Sequence, residues 1–233
     1  MIGKITTDPK IIITIDGYSG CGKSTLAKDL SKHLSYLHID TGAMYRSIAL
    51  HTIRNKTSIQ DLKSIISSLS DIDLQLKFID GSSHPFLNGE PVGHLLKSKE
   101  VVNIVSEIAA IGEVREFLKH KQRRLGLEKG IVMDGRDIGT VIFPEASLKL
   151  FVTADIKIRT DRRIKELKER GIDRAYEEVL ENLQKRDRID TSRDVAPLRK
   201  AEDAIVIDTS HLNRSEQLEK ALSLVEEVIN AIK

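Results

Sequence analysis

Apolar positions along this 233-residue chain follow two rhythms. Short, continuous, β-branched runs read as buried parallel strands: residues 11–16 ("IIITID"), 36–40 ("YLHID"), 130–137 ("GIVMDGRD", running out into polar residues), 148–154 ("LKLFVTA") and 204–210 ("AIVIDTS"). Between them the apolar residues recur at helical spacing, as with Leu26, Leu30 and Leu34. Further helices are expected over residues 41–53, 58–69 and 98–127 (with a break near Gly112), then over 156–170 and 176–189 and at the C-terminus. One segment breaks the alternation. From Asp71, "DIDLQLKF" has period two, and "IDGSSHPFLNGEPVG" is dense in Gly, Pro, Asn and Ser. These are hairpin signals, and they predict an antiparallel insertion of about 30 residues in an otherwise βα chain.

Five buried strands interleaved with helices define an α/β fold with an open, doubly wound parallel sheet. Ligands of such sheets bind beyond the carboxyl ends of the strands. Polar motifs stand at four of those ends, after Asp16, Ile39, Met133 and Ala154.

The totals remove several function classes. The length allows one domain with an insertion, or two small ones, and buries a core without staples. Aromatics make up 4% and tryptophan is absent, which argues against base-stacking platforms for single strands. A net charge of +2 does not suit a general polyanion binder. The single cysteine, Cys21, rules out a disulfide scaffold and cysteine zinc sites and points to a reducing compartment. The stretch "MIGKITTDPK" has no apolar h-region and no run reaches membrane-span length, so a cytoplasmic protein is expected.

The first polar motif carries the clearest chemistry. In "GYSGCGKST", Gly17, Gly22, Lys23 and Ser24 fit G-x-x-x-x-G-K-[ST] without a mismatch, between a strand and a helix. The glycines let backbone N–H groups converge on an anion, and the helix start adds its positive end. Lys23 is expected to reach the β- and γ-phosphates and Ser24 to hold Mg²⁺. Cys21 and Tyr18 occupy variable positions, where a small filler and a loop-edge side chain suffice.

A phosphate grip is shared by switches, motors and kinases, so other residues must discriminate. "DTGAMYR" places Thr41, Tyr45 and Arg46 after the second strand, and "DGRD" places Arg136 and Asp137 after the third. Arg162 and Arg163 follow the fourth, and Arg186 and Asp190 lie one turn apart with Arg193 beyond. Arginine motifs leaving several parallel strands suit phosphoryl transfer, which spreads charge over the oxygens of the moving group. An acceptor that is itself a phosphate monoester is anionic at neutral pH and needs no general base. Asp137 is then free to read a base, and a carboxylate suits the amino group of cytosine.

The motifs "TIDGYSGCGKST", "IDTGAMYR", "DGRDIGTVIFP" and "KRDRIDTSRDVAPL", with "NIVSEIAAIGEVRE", make the chain resemble the bacterial cytidylate kinases, a nucleoside monophosphate kinase family, over nearly its full length. The resemblance implies a P-loop kinase fold with a helical lid, and transfer of the ATP γ-phosphoryl to CMP or dCMP with Mg²⁺. It implies a core over 1–57, an acceptor-binding insertion over 58–112 that is β-rich near 71–93, core over 113–155, a lid over 156–175 and core over 176–233. Gly17, Tyr18, Ser19, Gly20, Cys21, Gly22, Lys23, Ser24 and Thr25 would form the ATP loop. Arg46 and Arg136 would hold the CMP phosphate. Ser106, Arg115 and Asp137 would read the cytosine, and Thr41 and Tyr45 would line the acceptor cleft. Asp190 would contact the sugar, with Arg186 and Arg193 around sugar and phosphates. Arg162 and Arg163 would belong to the lid, joining Lys23 and Arg136 as catalytic groups. The family often has proline where Tyr18 stands and serine where Thr41 stands; the second difference leaves preference between CMP and dCMP open.

Three alternatives carry their own signatures. Another small acceptor, such as UMP or AMP, would use the same loop. A GTP-dependent switch needs N-K-x-D, and none is present. A nucleic-acid module could use "KHKQRR" (119–124), but balancing acids and the near-neutral charge favour a solvated helix face. A monomer acting on small molecules alone, with neither nucleic acid nor membrane as partner, is expected.

Overall fold

The computed structural model describes residues 8–233; residues 1–7, most of the N-terminal stretch discussed above, lie outside them. The chain begins with β1 (Ile12–Gly17), α1 (Lys23–Leu34), β2 (Leu37–Asp40) and α2 (Thr41–Arg54). A short α3 (Leu62–Ser68) leads to β3 (Leu74–Ile79), β4 (Ser82–Leu87) and β5 (Glu90–Pro91). Then come α4 (Lys99–Ala110), α5 (Gly112–Leu125), β6 (Ile131–Gly135) and β7 (Leu148–Thr153). Finally α6 (Ile156–Glu169) and α7 (Tyr176–Ser192) precede β8 (Ile205–Asp208) and α8 (Arg214–Ile232).

The parallel strands run β2-β6-β1-β7-β8, so β1 is central, with winding to either side. Its register sets Asp16 opposite Gly135 on β6 and Gly17 opposite Val152 on β7. The ends of β1, β6 and β7 therefore meet at one edge. The expected antiparallel insertion is present, but it is not a separate layer. The β3–β4 hairpin continues the same sheet, because β4 pairs in parallel with β2 through His38 and Ser82.

Local chemistry fixes several helix ends. Asp40 caps α2 by accepting from the Ala43 N–H at 3.0 Å, and Asn213 and Glu216 form a reciprocal capping box on α8. The long helical pattern ending near Leu127 splits at Ile111, whose extended backbone (φ −71°, ψ 121°) ends α4 and begins α5. By contrast, α1 starts at Gly22 with no side-chain cap. Its first N–H groups remain open to a ligand.

Three apolar clusters pack on the sheet, the smallest of them joining Ile39, Ile131 and Met133 to Ile138 and Ile142. One packs β1 and β7 against α1 and α8, with Ile13, Ile15, Leu30 and Val225 at its centre. Another gathers Met44, Ile48, Val101, Ile108 and Leu118 from α2, α4 and α5 beneath the hairpin. Among the described residues, no helix is long and apolar enough to cross a membrane.

Candidate active site

The phosphate loop leaves β1 in a conformation only glycine tolerates. Gly17, Gly20 and Gly22 have φ of 148°, 75° and 92°. At Gly17 a Cβ would lie 1.9 Å from the Val152 carbonyl oxygen on the neighbouring strand. Gly17→Ala is therefore expected to cost roughly 3 kcal/mol or more of stability, read from a denaturant melt, and an unchanged midpoint would overturn this account of the turn.

Lys23 is buried, and its ammonium donates to the Tyr18 carbonyl at 2.5 Å. Burial, then the nearby Arg136 charge, hold it below the usual lysine range. The Cys21 thiol is fully buried and donates to the same carbonyl at 3.0 Å. The Tyr18 ring points away from the loop's concave side. It meets Phe151 edge-on at 6.0 Å, and the Arg159 guanidinium lies 5.3 Å from its centre. Gly17, Tyr18 and Cys21 thus shape the loop without lining the cleft, whereas Ser19, Gly20, Gly22, Lys23, Ser24 and Thr25 line it.

Arg159 is one of several groups that sequence reasoning missed. It donates to the carbonyls of Ala154 and Ser19, both at 3.0 Å, and to Asp187 at 2.5 Å. Asp187 in turn accepts from the Ser19 N–H at 3.3 Å. Helices α6 and α7 therefore grip the phosphate loop from behind.

Asp134, at the end of β6, was also missed. It accepts from the Ser24 hydroxyl at 2.6 Å and pairs with His38 Nε2 at 2.7 Å. Burial raises its carboxyl, but His38 and Ser24 together bring it below the ordinary value; burial in turn pushes His38 down, and the hydrogen bond and charge of Asp134 outweigh it and raise it. Its signal was visible as the first acid of "DGRD", one strand over from the phosphate loop.

Thr41, Tyr45, Arg46, Ser106, Arg115, Arg136, Asp137, Arg162, Arg163, Arg186, Asp190 and Arg193 all border the same cleft, about 530 Å³ in volume. Arg46 is steadied by Asp40 at 2.8 Å, and a Cβ on Gly42 would come within 2.8 Å of its guanidinium. Arg136 bridges the two halves of the cleft, donating to Asp190 at 2.6 Å and to the Ser19 hydroxyl at 2.7 Å. Deeper in, Asp137 and Arg115 form a buried ion pair at 2.5 Å, with the Arg115 guanidinium 5.2 Å from the Tyr45 ring centre and Arg193 at 3.7 Å from Asp137. Thr41 turns its hydroxyl to the Asp134 carbonyl at 2.7 Å.

The arginines differ in how fully they are paired. Arg162 is bound to Thr209, at 3.0 Å to its hydroxyl and 2.5 Å to its carbonyl, and Arg163 to Glu166 at 2.7 Å. Arg186 is half-buried, and its enclosed Nε has no hydrogen-bond partner among the described residues. Burial first, then the charge of Arg136, push its guanidinium down to about 10. A half-buried cation that Asp190 offsets only in part suits an anionic ligand.

A strand-loop-helix phosphate-loop motif and several arginines lining one cleft define a P-loop phosphotransferase. Residues 13–227 match the cytidylate kinase family. The chain is 50% identical to a cytidylate kinase of Parabacteroides distasonis over 89% of this chain and 93% of that one. A cytidylate kinase of Phocaeicola vulgatus is 48% identical over the same shares of the two chains, 89% and 93%. One of Caldicellulosiruptor bescii is 47% identical over 94% and 97%. Among solved structures, a shikimate kinase from Acinetobacter baumannii aligns over 95% of this chain and 96% of that one, at TM-score 0.48 and 14% identity. The chain belongs to the cytidylate kinase family.

Proposed function

We propose that this enzyme transfers the γ-phosphoryl group of ATP to CMP or dCMP, giving ADP and CDP or dCDP. The supporting observation is the shared cleft itself, lined by the phosphate loop, by Arg46, Arg136 and Arg186, and by the buried Asp137–Arg115 pair.

In this reading the loop N–H groups and the start of α1 hold the ATP phosphates. Lys23 exchanges the Tyr18 carbonyl for a phosphate oxygen. Arg46 and Arg136 hold the acceptor phosphate, whose oxyanion attacks in line without a general base. Arg186, with Arg162 and Arg163 from the lid over 156–175, faces the charge on the transferring group. Ser106, Arg115 and Asp137 read the cytosine, while Thr41 and Tyr45 line the cleft wall. Asp190 and Arg193 hold the sugar side. Lid closure excludes water, the competing acceptor.

Ser24 and Asp134 offer hard oxygen donors side by side at 2.6 Å, beside the loop. Among the described residues no cluster of three or more His, Cys, Asp or Glu could hold a metal. That donor set suits Mg²⁺, which takes few protein ligands and leans on substrate phosphates. Bound there, Mg²⁺ would neutralise charge on the ATP phosphates. A monomer in the cytoplasm completes the proposal.

A coupled assay of ADP release across CMP, dCMP, UMP, AMP and shikimate tests this reading. Turnover is expected with CMP and dCMP at least about tenfold above the others, the scale of one good base contact. Equal rates with UMP or AMP would overturn the cytosine assignment.

A further inference from the structure

The chemistry above leaves one deeply buried carboxylate unused. Asp16 ends the central strand β1 and is 5% exposed. Its two oxygens accept the backbone N–H groups of Ile138 at 2.9 Å and Gly139 at 2.7 Å. Those groups open the π-helical turn Ile138–Ile142, which follows directly on Asp137 and has no side-chain cap of its own. The first N–H groups of a helical turn lack internal partners, so Asp16 supplies the acceptors that the turn's own sequence does not.

The turn lies flat against β1. A Cβ on Gly139 would stand 2.9 Å from the Thr14 hydroxyl oxygen and 3.3 Å from the Lys149 stem. The far end of the turn is held by Arg123 of α5, which donates to the Ile142 and Val141 carbonyls at 3.3 and 2.9 Å, while Asp16 is the side chain of β1 that holds its first N–H groups. Arg136 and Asp137, which hold phosphate and base in the proposed reaction, are the two residues that lead into it. No lysine or arginine forms an ion pair with Asp16 among the described residues; burial pushes its carboxyl up to about 7, while the two N–H groups act in the opposite sense.

Resting on the acceptor assignment above, we propose that Asp16 is a positioning residue of the acceptor site: it fixes the turn behind Arg136 and Asp137 and touches neither nucleotide. A carboxylate is needed because two adjacent N–H donors require two acceptors on one side chain. An amide would turn an N–H₂ group against one of them, and a buried donor without an acceptor is penalised.

The test uses the full-length enzyme at pH 8, with Asp16→Asn and, should that variant lose its cooperative melt, Asp16→Ser, which keeps one acceptor oxygen. Steady-state kinetics are paired with hydrogen exchange of the segment 135–143. The expected result is a KM for CMP raised about tenfold or more, KM for ATP within about twofold, and kcat at saturation within about threefold. Exchange should quicken in 135–143 and stay unchanged in α1. A merely structural role would move both KM values together, and that outcome, or unchanged exchange in 135–143, overturns the inference. If the wild-type enzyme fails to use CMP while exchange still quickens in the variant, the positioning role stands and the acceptor assignment falls.

Discussion

Lys23→Ala is expected to lower kcat by about 10²–10³ with every acceptor while leaving the fold intact. The magnitude is that of removing one preorganised group from a developing negative charge in a dry site. The fold should survive because Lys23 is a desolvated cation held below its usual pKa by burial and by Arg136, its ammonium resting on the Tyr18 carbonyl rather than in an ion pair. Removing such a charge relieves a cost, so Tm should hold or rise while turnover collapses. A common loss across CMP, dCMP and UMP would place Lys23 on the donor side. A loss confined to one acceptor, or turnover within about threefold of wild type, would remove it from that role.

Substitution at Asp137 should instead change which base is accepted. Asp137 and Arg115 are paired at 2.5 Å with both side chains 5% exposed, and Arg193 approaches to 3.7 Å. Asp137→Ala would leave two buried guanidinium groups facing each other without their shared anion, a cost of about 3–5 kcal/mol. Asp137→Asn keeps the shape and is the better probe, although some loss of Tm is still expected. Its CMP-to-UMP preference should fall by about 10- to 100-fold, because one good pairing with the cytosine amino group contributes about 1–3 kcal/mol of discrimination. The ATP KM should barely move, since Asp137 faces the acceptor end. An unchanged CMP-to-UMP ratio in a folded variant would refute the base-reading role.

Lys23 was legible in the sequence because its setting is local. A β-branched run, a glycine loop and a helix start occupy consecutive residues, and each constrains the next through backbone geometry alone. The same holds for the hydrophobic runs that form the parallel strands and for Arg46, whose partner Asp40 is six residues away. Asp137 was assigned from its place at a strand end and from the family resemblance, but its pairing with Arg115 lay beyond any local pattern. The break expected near Gly112 is present, at the extended residue Ile111 between α4 and α5.

What the sequence determined by itself, then, is the set of strands and helices, the phosphate loop, and the fact that polar motifs leave the strands at one edge. The tertiary structure decided which of those motifs face each other. His38 reaches Asp134 across 96 residues of chain, Ser19 reaches Asp187 across 168, and Asp16 reaches Ile138 across 122. Tyr18 gained its place only when Phe151 and Arg159 came alongside it. The reason is the register of the parallel sheet: setting β1 between β6 and β7 brings Asp16, Asp134 and Gly17 to one edge, and hydrogen bonds of under 3 Å follow from a pairing that no nearest-neighbour preference along the chain can encode.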